Sequence, residues 1–248
     1  MTACKAILIL GGTGEGIALA EALQAVPGLR VISSLAGRVA NPKLPVGEVR
    51  IGGFGGVAGL VAYLRANGIA AVIDATHPFA RRMGWHAAEA AVAARIPLLR
   101  LERPAWVAQA GDNWTLVDDW DGAVEILRKS ARRVFLALGR QELAPFTALD
   151  KIAFVIRAVE RPDAEIKFAD AEIVLARGPF HLDDERALLQ AHRIDCIVCK
   201  NSGGSATDAK LQAARELGIH VVIQRRPPRP EATQVSTVAA AVDWVREL

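Results

Sequence analysis

The chain is expected to be an α/β protein of two Rossmann-like parallel-sheet domains with a cleft between them. Three observations carry this expectation. Short apolar runs alternate with helix-like stretches, the first run ends in a cluster of glycines, and the alternation loosens once, near residues 103–115, before resuming. Repeated β-α units require a parallel sheet covered by helices on both faces. A chain of 248 residues has room for one such domain or two.

"KAILILGGTGEG", residues 5–16, opens the pattern. Ile7, Leu8, Ile9 and Leu10 form the continuous apolar run of a strand buried on both faces. After the glycines, "IALAEALQAV" sets Ile17, Ala20 and Leu23 on one side of a helix. Further strands are expected at 30–35, 47–53, 70–76 and 96–102, with helices in "GGVAGLVAYLRANG" and "RRMGWHAAEAAVAAR". Beyond "PAWVAQAGDNWTLVDDW" a second set of strands is expected at 133–139, 152–158, 172–178, 195–200 and 219–225. Helices in "DDERALLQAHR" and "SATDAKLQAARELG" separate its later members, and "PPRPE" leads into a last helix, "STVAAAVDWVREL". Boundaries drawn from this order are 1–105 for the first domain and 112–248 for the second, although a terminal element can pack on the other half.

Composition narrows the function classes. The chain is 52% hydrophobic and 23% charged, as an ordered globular enzyme is. No apolar run nears the roughly eighteen residues of a membrane span, and the first run is too short for a signal peptide. Cys4, Cys196 and Cys199 are too few for a disulfide framework, so the cytoplasm is the expected setting. Cys196 and Cys199 read C-x-x-C, but inside an expected strand, where residues three apart face opposite ways. No second ligand pair completes a zinc site, so no metal is expected. A net charge of +3, with no lysine-rich tail and no interleaved aromatics, argues against nucleic acid. Arginine heavily outnumbers lysine. A GC-rich genome accounts for that, and so does a ligand rich in carboxylates or phosphates.

Four segments carry chemistry. The glycines offer free amides and a positive helix end to an anion. Gly11, Gly14 and Gly16 read G-x-x-G-x-G, and Gly12, Gly14 and Gly16 read G-x-G-x-G. Neither is the usual G-x-G-x-x-G, so a plain turn stands beside a phosphate cradle as a reading. After the second strand, "VISSLAGR" lacks the acid that holds an NAD ribose and offers Ser33, Ser34 and Arg38, which suit the 2′-phosphate of NADPH. The fourth strand ends in "IDATHPFARR", placing Asp74, Ala75, Thr76 and His77 where such sheets bind ligands. His77 is the candidate catalytic residue, able to donate a proton or a hydrogen bond; tying down its own loop is the alternative. In the second half, "CIVCKNSGGSATDAK" sets Lys200, Asn201, Ser202, Gly203 and Gly204 at a strand-glycine-helix junction, while Arg140 and Arg177 fall at other strand ends. These form an anion-binding edge. The only tyrosine, Tyr63, is followed four residues later by Asn67, which excludes the Tyr-x-x-x-Lys device of short-chain dehydrogenases.

"GGTGEG", "SLAGR", "DATHPFA", "RPAW", "LGRQEL", "RGPF" and "KNSGG", in this order between about residues 6 and 226, resemble the precorrin-6A reductase family of cobalamin biosynthesis. The resemblance implies a two-domain reductase that takes hydride from NADPH to a double bond of precorrin-6A, giving precorrin-6B. The expected cofactor set is then Gly11, Gly12, Thr13, Gly14, Glu15, Ser33, Ser34, Arg38, Ala75, Thr76 and His77. The polycarboxylate tetrapyrrole would be held by Arg140, Arg177, Lys200, Asn201, Ser202, Gly203 and Gly204. Glu15 is equally a helix N-terminal acid, since a carboxylate repels pyrophosphate. "GGFGG" at 52–56 departs from the familiar pattern and carries no family role. The alternatives are a cobalt-precorrin-6A reductase and a non-catalytic dinucleotide-sensing module.

Overall fold

The computed structural model describes residues 4–37 and 42–248. In chain order the elements are β1 (Lys5–Leu10), α1 (Gly14–Gln24), β2 (Leu29–Leu35), β3 (Glu48–Ile51), α2 (Gly56–Ala66), β4 (Ile69–Asp74), α3 (Arg81–Ala94) and β5 (Leu98–Leu101). There follow β6 (Trp114–Val117), α4 (Trp120–Ser130), β7 (Arg133–Ala137), β8 (Ala153–Ala158), β9 (Ala171–Leu175), α5 (Leu182–Ala191), β10 (Cys196–Lys200), α6 (Ala209–Leu217), β11 (His220–Gln224), β12 (Thr233–Val235) and α7 (Val238–Arg246). Short 3-10 turns cover Arg140–Glu142 and Ala144–Ala148. Among the described residues no helix is long and apolar enough to cross a membrane.

The chain divides into two compact units, one running to Pro104 and including Pro227–Leu248, the other Ala105–Arg226. This corrects the 112–248 boundary. Thr233, Gln234 and Val235 pair in parallel with Leu99, Arg100 and Leu101, so β12 completes the first sheet. Helix α7 buries Ala241, Val242 and Val245 in the same core as Leu19 and Leu23 of α1. Chain order alone hides this, because a three-residue strand is too short to show alternation.

The first unit holds six parallel strands in the order β12-β5-β4-β1-β2-β3. Ile7, Ile9, Val31 and Ile73 face the layer of α1 and α7; Leu8, Leu10, Ile32 and Val72 face α2 and α3. That two-sided burial is why β1 is apolar at every position from Ala6 to Leu10. The second unit repeats the plan with the order β6-β11-β10-β7-β8-β9, all parallel. Cys196 lies in one of its core layers and Cys199 in the other, as opposite-facing strand residues must. Strand β6 forms within the stretch where the sequence pattern loosens, and α4 follows directly after it. Asp119 caps α4, its side chain accepting from the Gly122 amide at 2.8 Å.

Candidate active site

In the first sheet the strand order reverses at β1, with β2 and β3 on one side and β4, β5 and β12 on the other. Open parallel sheets bind ligands outside the strand carboxyl ends at such a switch point. There the Gly11 amide donates to the Ser34 carbonyl at 2.9 Å, and the Ala75 amide donates to the Leu10 carbonyl at 2.9 Å. Gly12 adopts φ +113°, a conformation side chains rarely take. Thr13 is buried. Its hydroxyl accepts from the Gly16 amide at 3.1 Å, capping α1, and donates to the Ala75 carbonyl at 2.8 Å. One hydroxyl thus joins the glycine loop to the end of β4. Among the described residues, the amides of Gly12, Thr13, Gly14 and Glu15 make no hydrogen bond. A Cβ added at Gly12 or Gly14 would meet nothing within 4 Å, so space is open beside these donors. With the positive end of α1 behind them they suit a diphosphate. Glu15 pairs with Arg103 at 2.7 Å, which balances its charge.

At the end of β4, Asp74 is only 1% exposed. Its Oδ1 accepts from the amide and hydroxyl of Thr76 at 3.1 and 2.6 Å, and its Oδ2 accepts from Arg229. Arg229 also donates to Thr76 Oγ1 at 3.2 Å and to Glu102 at 2.7 Å, and Arg100 stands 3.9 Å from Asp74. Burial, together with the like charge of Arg229, holds the Arg100 pKa below its ordinary value. A Cβ at Gly84 would come within 2.7 Å of the Arg229 guanidinium, so α3 accepts this arginine only because residue 84 is glycine. His77 is half-buried and accepts from the Phe79 amide through Nδ1 at 3.2 Å. That bond leaves the proton of the neutral ring on Nε2.

Ser33 and Ser34 lie in the strand expected at 30–35. Strand β2 continues to Leu35, and both serines are buried within it. Ser33 Oγ has no partner among the described residues. Ser34 Oγ accepts from Arg50 at 2.8 Å. Arg38 lies outside the described residues.

The second sheet reverses at β7, between β10 and β8. Lys200, at the end of β10, is ion-paired with Glu142, whose carboxylate also accepts from the Gly139 amide at 3.2 Å. Arg140 lies 3.4 Å from Glu160 and 4.0 Å from Asp163. Arg177 is exposed just after β9. The Asn201 side chain is taken up by the Trp106 backbone, accepting from the amide at 2.8 Å and donating to the carbonyl at 2.9 Å. These two bonds tie the Trp106 backbone to the end of β10.

The loop after Lys200 has its carbonyls held by side-chain or backbone donors. Asn201 and Ser202 accept from Arg226 at 3.0 and 3.1 Å, Gly204 from Trp106 Nε1 at 2.8 Å, Ala206 from the Phe180 amide at 3.3 Å, and Thr207 from Lys210. Among the described residues the amides of Gly203 to Thr207 have no partner, so this loop too presents donors to an anion. Lys210 is buried with its ammonium 4.7 Å from the Trp106 ring centre, and burial pushes its pKa down. Burial pushes the Cys196 thiol up to about 12, and Cys199 is raised by the same cause.

Sequence reasoning missed Arg50, Glu142, Arg226 and Arg229. Glu142 stands inside "LGRQEL", where an acid two residues after Arg140 was available as a signal. Arg229 had a fainter one, a basic residue enclosed by prolines in "PPRPE".

A family model described as "Precorrin-6x reductase CbiJ/CobK" matches residues 6–246. The precorrin-6A reductase of Rhodococcus erythropolis is 52% identical over 243 residues, 98% of each chain. The precorrin-6A reductase of Mycobacterium tuberculosis (strain ATCC 25618 / H37Rv) is 47% identical over 243 residues, again 98% of each. The cobalt-precorrin-6A reductase of Priestia megaterium is 30% identical over 95% of this chain and 96% of its own. A solved structure of CobK precorrin-6A reductase matches with a TM-score of 0.91 and 41% identity, covering 98% of this chain and 96% of that one. The chain therefore belongs to the precorrin-6x reductase family.

Proposed function

We propose that this chain is a cytoplasmic, NADPH-dependent reductase of a carbon–carbon double bond in precorrin-6A, giving precorrin-6B. The observation that carries the reading is the run of unbonded amides from Gly12 to Glu15 at the switch point of the first sheet, in a member of a reductase family. Bound there, the nicotinamide cofactor would supply hydride. Gly11 to Glu15 would hold its diphosphate, and Arg38 is proposed beside the 2′-phosphate because "VISSLAGR" lacks an acid. Ala75, Thr76 and His77 would border the nicotinamide, with Thr76 fixed by Asp74 and Arg229 and His77 presenting Nε2–H. In the second unit, Arg140, Arg177, Lys200 and the amides around Ser202, Gly203 and Gly204 would hold the carboxylates of the macrocycle. Most of the rate enhancement would come from holding donor and acceptor carbons near contact, roughly 3–3.5 Å apart.

Higher identity to the precorrin-6A reductases than to the cobalt-precorrin enzyme supports a metal-free substrate. The test is NADPH oxidation by the purified protein with precorrin-6A and with cobalt-precorrin-6A side by side. Faster turnover of the metal-free macrocycle is expected. Preference for the cobalt form would overturn the substrate, and oxidation of neither would favour a sensing role.

A further inference from the structure

Arg50, the residue before the last in β3, pairs in register with Ser34 near the carboxyl end of β2. Its Nη1 donates to Ser34 Oγ at 2.8 Å and to the Gly52 carbonyl at 2.9 Å, and its Nη2 to the Gly53 carbonyl at 3.0 Å. The guanidinium lies on the Phe54 ring, 3.8 Å from its centre, with Tyr63 at 5.3 Å. Nε–H and one Nη2 hydrogen remain without a partner among the described residues.

The electrostatics are unusual for this unit. Of the other arginines here that are not exposed, Arg100, Arg103 and Arg229 each stand within ion-pair distance of a carboxylate. Half-buried Arg50 has no carboxylate partner among the described residues. Three neutral oxygens and an aromatic face fix its plane and leave its charge uncompensated, an arrangement that suits an incoming oxyanion.

Position then selects the oxyanion. The Ser34 carbonyl that accepts from Gly11 belongs to the residue whose hydroxyl accepts from Arg50, so one residue bridges the diphosphate loop and the guanidinium. A dinucleotide seated on that loop lays its adenosine ribose across the end of β2, where an acid would take a 2′-hydroxyl and an arginine a 2′-phosphate. Resting on the cofactor reading above, we infer that Arg50, besides the Arg38 proposed there, takes the 2′-phosphate and so selects a 2′-phosphorylated dinucleotide. Ser34 and the Gly52–Gly53 carbonyls hold its fork in place, and the stack on Phe54 keeps it from collapsing onto the sheet edge.

The test is equilibrium binding of NADPH, NADH and adenosine 2′,5′-bisphosphate to the full chain and to its Arg50→Gln, Arg50→Lys and Arg38→Ala variants. The unmodified protein is expected to prefer NADPH. Arg50→Gln should weaken NADPH and the bisphosphate by roughly ten- to a hundredfold and NADH by less than about twofold, with Arg50→Lys in between. Absence of a preference for NADPH in the unmodified protein would overturn the cofactor reading itself. A preference that survives Arg50→Gln, or disappears only in Arg38→Ala, would overturn the Arg50 inference alone. So would an equal loss of NADPH and NADH, which would make Arg50 a support of the Gly52–Gly53 turn.

Discussion

At the switch point of the first unit the donors are backbone amides, from Gly12 to Glu15, whereas the second adds to its amide row, Gly203 to Thr207, the cations Lys200 and Arg140, already joined to Glu142, Glu160 and Asp163. The difference has a physical consequence. An amide row is fixed by the fold and carries no counter-charge, so a diphosphate meets it without displacing anything. A paired cation must share or surrender its carboxylate before it binds another, so its net gain is a difference and falls with salt. The first arrangement suits a ligand bound the same way in every cycle. The second suits discrimination among polyanions.

The units also differ in how they bury charge. The first holds Arg229 and Arg100 with Asp74 and Glu102 at the strand ends; in the second, the bidentate pair of Arg157 with Glu185 is the more deeply buried, beside that of Arg215 with Asp112. The largest expected effect comes from breaking these. Arg229→Met and Arg157→Met each strand a carboxylate out of water, a loss of about 3–5 kcal/mol, visible as a lower urea midpoint. They part on function. Arg229→Met also frees Thr76, so cofactor binding should weaken in whatever protein remains folded, whereas Arg157→Met should leave it intact. Equal effects on cofactor affinity would erase the distinction.

A smaller effect sharpens the view of the second switch point. Lys200→Ala should raise the KM for precorrin-6A roughly tenfold with cofactor affinity unchanged. Glu142→Gln keeps an acceptor for the Gly139 amide while releasing Lys200, and should lower that KM by at most about fivefold. Both shifts should shrink as salt is raised. A higher KM in Glu142→Gln would show that the pair positions Lys200 and does not compete with the substrate.

The smallest effect concerns thiols. Cys4 of the first unit is exposed and should react with an aromatic disulfide reagent at once, while Cys196 and Cys199 should react only on unfolding. The folded Cys196 thiol titrates near 12, above its ordinary 9.0, so its contribution to stability is full below about 9 and is lost as pH rises towards 12. A urea midpoint that rises between those values would contradict the burial.

Much of this was legible in the sequence. The apolar run from Ile7 to Leu10 can only be a strand covered on both sides, and the residues at strand ends fall at the ends of neighbouring strands. What stayed hidden is lateral. Arg50 reads as an ordinary strand residue until pairing sets it beside Ser34. Ser33 and Ser34 fall in the strand expected at 30–35, but that Ser33 is buried without a partner among the described residues and that Ser34 is taken by Arg50 shows only in the fold. Asn201 reads as a ligand residue because its partner is the backbone of Trp106, ninety-five positions away. Pattern reports the period along a chain and says nothing of which distant segment lies next to it.

The first unit is closed by β12 and α7, which lie beyond the whole of the second. Synthesis therefore delivers residues 105–226 complete while the edge of the first sheet and the cover over α1 are still missing. The inserted unit has every strand it needs and is free to fold on the ribosome, whereas its host must wait, with Leu99 and Leu101 of β5 uncovered, for the last residues to emerge. Nascent chains of this protein are thus expected to pass through a stage in which the later-encoded unit is finished and the earlier one is not. Truncation near residue 226 would arrest them there.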